Sequence, residues 1–313
     1  MSFSTFLKLV EIQTKIASVF PFLVGSLFVY YRYDTFNLLT TFIFFCSMLL
    51  FDLTTTAINN YMDYRKATTD TYRRERNIIG QKQIPEWLVI TTILSLLVVA
   101  TGLGLWLVAL TDLIVLFIGM ACFAIGILYT FGPIPLSRMP LGEAFSGGAM
   151  GFGIIFLVVY VNAYDQGIAQ FIWEGQQISF YANIVLLFEI ALISIPSMLT
   201  IANLMLANNI CDLEEDIANH RFTLPYYLGK RWSLVLFNFL YVVSFLSIVA
   251  AVVLNILPPV MLLSLFIIYP VYSLVRKFNA KQVKSETFEV AVKNLVLVNG
   301  SSVALLIVSV LIF

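Results

Sequence analysis

Charge is scarce in this chain: of 313 residues, 12% are Asp, Glu, Lys or Arg, against 60% hydrophobic. A soluble domain carries about twice that charge, so too little polar side chain is present to cover a soluble surface. Neither sign is in surplus, with 18 basic and 18 acidic residues. The broad basic face that nucleic acid binding needs is therefore missing. Cysteine is rare too. Cys46 and Cys122 fall inside apolar runs and Cys211 beside a charged loop, a spacing that gives neither a disulfide framework nor a metal cluster. The single histidine, His220, has no second ligand at metal spacing and reads as a loop residue rather than a base.

Apolar sequence is abundant. Nine runs can cross a hydrocarbon core about 30 Å thick: residues 15–31, 38–60, 86–109, 113–131, 141–163, 183–208, 233–254, 257–275 and 289–312. They predict an all-α, polytopic membrane protein with about nine transmembrane helices in a single membrane-embedded domain. The first run follows Lys8, Glu11 and Lys15, contains Pro21 and Gly25, and lacks a small-residue cleavage site, so it reads as a retained helix and not a signal peptide. Placing the N-terminus in the cytoplasm puts segments 61–85, 132–140, 209–232 and 276–288 on the inner side, where nearly all Lys and Arg lie; Arg32 alone falls outside. This asymmetry predicts a multi-pass cell-membrane protein with its N-terminus and acidic loops cytoplasmic. Loop 164–182 has no Lys or Arg and belongs outside.

Two stretches repeat a pattern. "NNYMDY" begins at residue 59 and "NNICDL" at 208, 149 residues later, each at the end of an apolar run. The spacing predicts two four-helix repeats, about 10–131 and 141–275, with a final helix 289–312. Asp52, Thr56, Asn59 and Asp63 are separated by four, three and four residues, one stripe of a helix; Asn208, Asp212 and Asp216 share a face likewise. Asp52 and Glu189 fall within predicted spans, where a charge is costly enough to demand an interior position and a partner.

Acids gathered at one membrane face repel one another unless cations sit among them, and oxygen-only ligands favour hard ions such as Mg2+, whose shell phosphate oxygens usually complete. The acids Asp63, Asp70, Asp212 and Asp216 thus point to a phosphate-bearing ligand, with Arg76, Lys82, Arg221 and other loop cations neutralising what the metal does not. Because this site opens into apolar helices, the ligand that fits is an amphiphile: a polyprenyl diphosphate, with membrane lipid around it. A transporter using intramembrane acids is the alternative of another class. It predicts acids near mid-membrane, whereas most here lie at the inner edge.

These residues resemble the UbiA superfamily of intramembrane aromatic prenyltransferases, whose members have nine transmembrane helices and two Asp-rich motifs holding Mg2+ and diphosphate. "NNYMDYRKATTD" is similar to the first motif and "NNICDLEEDIANHRFTLPYYLG" to the second, while "YTFGPIPLSRMPLGEAFSGGAMGFG" resembles the signature of the branch that prenylates 1,4-dihydroxy-2-naphthoate. The resemblance implies Asn59, Asp63, Asp212 and Asp216 as Mg2+ and diphosphate residues, with Asp70 as a further ligand one residue beyond the expected offset. It also implies Arg221 at the diphosphate, Asn208 beside it, and Lys15 on the acceptor carboxylate or diphosphate. Asn60 stands where the family usually has Asp. Tyr129 is expected to wall the cavity and shield a cation with its π face, Glu143 to bind substrate or to cap a helix, and Gly147, Gly148, Gly151 and Gly153 to allow close helix packing. The implied activity is Mg2+-dependent polyprenyl transfer to the naphthoate, or to another acceptor such as 4-hydroxybenzoate or haem. A non-catalytic lipid-binding member is the remaining alternative.

Overall fold

A computed structural model of the chain describes residues 1–67, 73–74, 77–130 and 136–312; Asp70 and Arg76 lie outside the described residues. Helices α1 (Phe3–Leu9), α2 (Ile16–Tyr33), α3 (Leu38–Lys66), α4 (Ile78–Gln81), α5 (Glu86–Leu110) and α6 (Leu113–Thr130) form the first half. The second half begins with α7 (Gly142–Ser146), which runs through a π-helical stretch, Gly147–Gly153, into α8 (Ile154–Ala163). A hairpin, β1 (Ala169–Glu174) and β2 (Gln177–Ala182), precedes α9 (Ile184–Cys211) and α10 (Leu213–Ala218). After α11 (Leu224–Val253) and a 3-10 stretch, Pro259–Ile267, come α12 (Ile268–Ala280), α13 (Lys284–Thr287) and α14 (Glu289–Ile312).

Among the described residues, eight helical segments are long and apolar enough to span a membrane, and the shorter apolar helix α6 makes the ninth predicted span. The chain is a multi-pass membrane protein. The side chains of Asn37 and Asn183 cap α3 and α9, accepting from their first backbone N–H groups. Inside the spans, hydroxyls such as those of Thr54 and Ser194 donate to carbonyls one turn back, Leu50 O and Ile190 O, and are satisfied within their own helix.

All ten residues of α8 are buried, the pattern of a helix enclosed on every side. It packs on α2 and α9, and α9 also meets α11 and α14. Small residues permit the close approaches: a Cβ on Gly25 would lie 2.3 Å from Val158 Cγ1, and on Gly151 2.4 Å from Met198 Cα. Gly147 meets Met198 O in the same way at 2.6 Å. Two expected packing glycines behave differently, since Gly148 faces open space and Gly153 makes only an ordinary contact with Cys122.

Segment 164–182, expected as a loop, contains the antiparallel hairpin, with Ala169 opposite Ala182. Gly175, at φ 60°, takes the first central position of its two-residue turn, where positive φ favours glycine. The helix expected to carry Asn208, Asp212 and Asp216 on one face breaks at Asp212, which ends α9 and starts α10.

Candidate active site

Helices α2, α3, α5, α6 and α9 and the π-helical stretch enclose a cavity of about 920 Å³. Its interior is apolar, with Phe44, Met48, Phe51, Leu116, Phe123 and Leu157 among the lining residues. Asn59 of the first motif and Asn208 of the second both reach its wall, as does Tyr129. One helical turn beyond these asparagines, away from the apolar interior, stand Asp63 and Asp212.

The two motifs meet through arginine. Helix α10 ends in a turn in which Arg221 N–H donates to Asp216 O at 2.8 Å and His220 N–H to Ile217 O at 3.1 Å, with His220 at φ 54°. This is a Schellman turn with His220 in the left-handed position, so the only histidine has a backbone role. The turn brings Arg221 back over its own helix, with Nε 3.3 Å from Asp216 Oδ1. From there Arg221 Nη2 donates to Ser137 O at 3.4 Å, and Phe222 N–H to Arg138 O at 3.1 Å. The positive charges of Arg221 and Arg138 both act on Asp63, so the acids of the first and second motifs share one basic cluster. Lys284, at the start of α13, forms an ion pair with Asp212.

Asp216 is buried, and its Oδ2 has no hydrogen-bond partner. Burial, reinforced by Asp212, pushes its carboxyl up to about 6 against the pull of Arg221. A buried, unpartnered carboxylate oxygen beside further carboxylates is the donor set of a hard cation. No three acids among the described residues gather closely enough to enclose an ion by themselves. Mg2+ is commonly held by one or two carboxylates plus substrate phosphates, and Asp63, Asp212 and Asp216 fit that role.

In the first motif, Asn60 turns away from the cavity. Its Nδ2 donates to Leu9 O at 2.9 Å and to Glu11 Oε1 at 3.1 Å, and its backbone carbonyl accepts from Asn77 Nδ2 at 2.8 Å. An aspartate could not donate to either acceptor, which accounts for the amide at this position. Lys15 differs from expectation. It is buried, and its ammonium donates to Asp52 Oδ1 at 2.7 Å, to Asp52 O at 3.1 Å and to Thr56 Oγ1 at 2.5 Å. All three donors are used inside the protein, leaving none for a substrate oxygen. Ser18 Oγ donates to Asp52 Oδ2 at 2.6 Å.

Glu143 lies in the first turn of α7, where its carboxylate accepts from Asn209 Nδ2 at 2.8 Å and its Oε2 is left buried without a partner. It holds the second motif's helix and does not line the cavity. Tyr129 Oη is likewise buried and unpartnered. Lys82 follows α4 and is exposed. Glu189 accepts both Arg32 Nε, at 2.9 Å, and Nη2, at 2.7 Å, which explains the one arginine set apart from the other basic segments: it neutralises an acid buried in a span. Sequence reasoning gave Arg138 and Lys284 no site role. The first lies within the quoted "LSRMPLGE" stretch, a usable signal, whereas no local pattern joins Lys284 to Asp212.

The description "UbiA prenyltransferase family" belongs to the family profile that matches residues 18–298. The chain is 29% identical over 245 residues to the 1,4-dihydroxy-2-naphthoate octaprenyltransferase of Bacillus subtilis (strain 168), spanning 77% of this chain and 71% of that protein. Its fold is that of a UbiA homolog from Archaeoglobus fulgidus bound to DMAPP and Mg2+, with a TM-score of 0.68 at 12% identity, covering 99% of this chain and 100% of the other. The apo UbiA homolog of Aeropyrum pernix K1 superposes with a TM-score of 0.69 at 16% identity, over 93% and 97% of the two chains.

Proposed function

The chain belongs to the UbiA prenyltransferase family, and on that basis we propose that it transfers a polyprenyl group from polyprenyl diphosphate to 1,4-dihydroxy-2-naphthoate, with loss of the carboxylate, giving demethylmenaquinone in its quinol form. The observation that carries this reading is the amphiphilic cavity of about 920 Å³, apolar within and bordered at one end by the acids and bases of both motifs. The choice of acceptor is supported by the identity to the Bacillus octaprenyltransferase.

In this reading Asp63, Asp212 and Asp216 hold Mg2+, and Asp70 extends the first motif. Mg2+ bound there would offset the charge of the diphosphate and stabilise it as a leaving group. Arg221, Arg138 and Lys284 contact phosphate oxygens, with Arg76 and Lys82 drawing the anion toward the same loop face. Asn59 and Asn208 stand on the cavity wall where head group and tail join. The tail lies along the apolar lining, and exclusion of water there preserves the allylic cation until the acceptor ring captures it. Tyr129 offers its ring face to that cation, and Glu143 acts by fixing Asn209. The motif end faces the cytoplasm across the cell membrane.

Asp63→Ala and Asp212→Ala are expected to abolish turnover in folded protein. Mg2+-dependent activity retained in both variants would remove the reading. A panel of labelled acceptors decides specificity: transfer to the naphthoate in preference to 4-hydroxybenzoate is expected, and the reverse preference would overturn the choice of acceptor.

A further inference from the structure

The cavity wall carries one group that the proposed mechanism has not used. Asp52 sits inside the span formed by α3, lines the cavity, and is the only acid held there by a lysine among the described residues. An ion pair of this kind costs much of its attraction in desolvation and is weak evidence of a stabilising role. Charged groups inside a span point instead to function.

The hydrogen bonds show which partner is available. Lys15 spends all three N–H donors on Asp52 and Thr56. Asp52 does not exhaust its capacity: Oδ1 accepts from Lys15 and Oδ2 from Ser18, one bond each where a carboxylate oxygen can accept two. The pair therefore presents a fixed carboxylate, and no free cation, to the cavity. Of the two ligands of the proposed reaction, the polyprenyl diphosphate has no donor to offer, because its tail is hydrocarbon and its ionised head carries only acceptor oxygens. The acceptor's ring hydroxyl is a donor. The polar wall formed by Thr14, Ser18, Asp52, Thr55 and Thr56 is also distinct from the apolar lining that suits the tail.

From this geometry we infer that Asp52 is the acceptor-binding base of the reaction, receiving the ring hydroxyl's hydrogen bond and then its proton, with Lys15 and Ser18 as positioning residues. The inference rests on the proposed prenyl transfer. As the hydroxyl O–H bond breaks, its proton passes to Asp52 and its electron pair supports bond formation from the adjacent ring carbon, the one bearing the carboxylate, to the allylic carbon. The C–O bond to the diphosphate breaks, and its electron pair leaves with the diphosphate. When the carboxylate departs as carbon dioxide, the electron pair of the broken C–C bond restores the ring and the oxygen takes its proton back from Asp52. No oxidant or reductant is needed.

The test uses the full-length protein with Mg2+ and a polyprenyl diphosphate, and two readouts. First, Asp52→Asn combined with Lys15→Gln replaces the ion pair by a neutral hydrogen-bonding pair, which avoids stranding a buried charge. It is expected to bind the polyprenyl diphosphate within threefold of wild type and to lose at least about a hundredfold in kcat, the usual contribution of a positioned base. Second, the wild-type protein is offered 1-hydroxy-2-naphthoate and 1-methoxy-2-naphthoate as competitors of the acceptor. The hydroxy compound is expected to bind at least tenfold tighter, an advantage absent in the double variant. A double variant with kcat within threefold of wild type, or a wild type indifferent to methylation, would overturn the inference; the competition alone decides if the variant does not fold. Failure of the wild type to prenylate the naphthoate at all would instead refute the proposed acceptor, and 4-hydroxybenzoate against 4-methoxybenzoate then repeats the test on Asp52.

Discussion

Replacing Asp216 with asparagine should stabilise the metal-free protein, because the native carboxyl is held in a place that disfavours its charge. Its side chain is 6% exposed, and burial pushes its pKa from 3.8 up to about 6, with Asp212 adding to the effect and Arg221 opposing it. A carboxyl raised in the folded state favours folding only while protonated. Its contribution is complete below the unfolded value of 3.8 and is lost as pH rises through about 6. Two units at about 1.4 kcal/mol each amount to roughly 3 kcal/mol lost by pH 7.5, with about half of that already lost at pH 5. An amide cannot ionise, so Asp216→Asn should escape the loss. Thermal unfolding in detergent with a chelator, at pH 4.5, 6 and 7.5, measures it: the variant's midpoint should lie above that of wild type by several degrees at pH 7.5, and the gap should narrow at pH 4.5. Adding Mg2+ at pH 7.5 should raise the wild-type midpoint and leave the variant nearly unchanged. Parallel pH profiles for the two proteins, or a variant less stable than wild type at pH 7.5 without metal, would refute the reasoning.

Other outcomes follow from packing and backbone geometry. Gly151→Ala places a methyl 2.4 Å from Met198 Cα and must push α9 off the π-helical stretch, at about 1–3 kcal/mol, whereas Gly148→Ala meets open space and should change the unfolding midpoint little. Arg32→Met leaves Glu189 buried without its guanidinium. The cost should be about 2 kcal/mol, below the roughly 3–5 of a fully buried pair because Arg32 is 37% exposed, and Arg32→Met with Glu189→Gln should recover much of it in the same assay. Gly229 interrupts α11 at φ 72° and ψ 159°, a conformation nearly confined to glycine, so Gly229→Ala should cost about 1–3 kcal/mol despite the open space around it.

The spans were legible because the thickness of the hydrocarbon core dictates their length, and α6 was visible at 113–131 although it is the shortest of them. The hairpin has a local signal as well: "AQFIWEGQQISFYA" places aromatic and β-branched residues on both sides of a glycine turn, the composition of paired strands. Motif positions followed from local spacing, and the fold brings Asn59 and Asn208 to one cavity. Their partners did not, because tertiary pairing joins residues far apart in sequence: Lys284 meets Asp212 across 72 positions and Glu189 meets Arg32 across 157. Lys15 shows the limit most clearly. The family resemblance suggested a substrate contact, yet the stripe Asp52–Thr56 on the neighbouring helix takes every donor it has. The same stripe, read from helical spacing alone, marked Asp52 as the intramembrane acid to watch.

The central claim is that the acid-bordered cavity is a prenyl-transfer site. Purified protein should be incubated with Mg2+, a polyprenyl diphosphate and 1,4-dihydroxy-2-naphthoate, and the products identified by mass. The expected result is a prenylated naphthalenediol lacking the carboxylate, formed with stoichiometric diphosphate and abolished by chelation. Recovery of both substrates unchanged, from protein that binds the polyprenyl diphosphate and remains folded, would contradict the account.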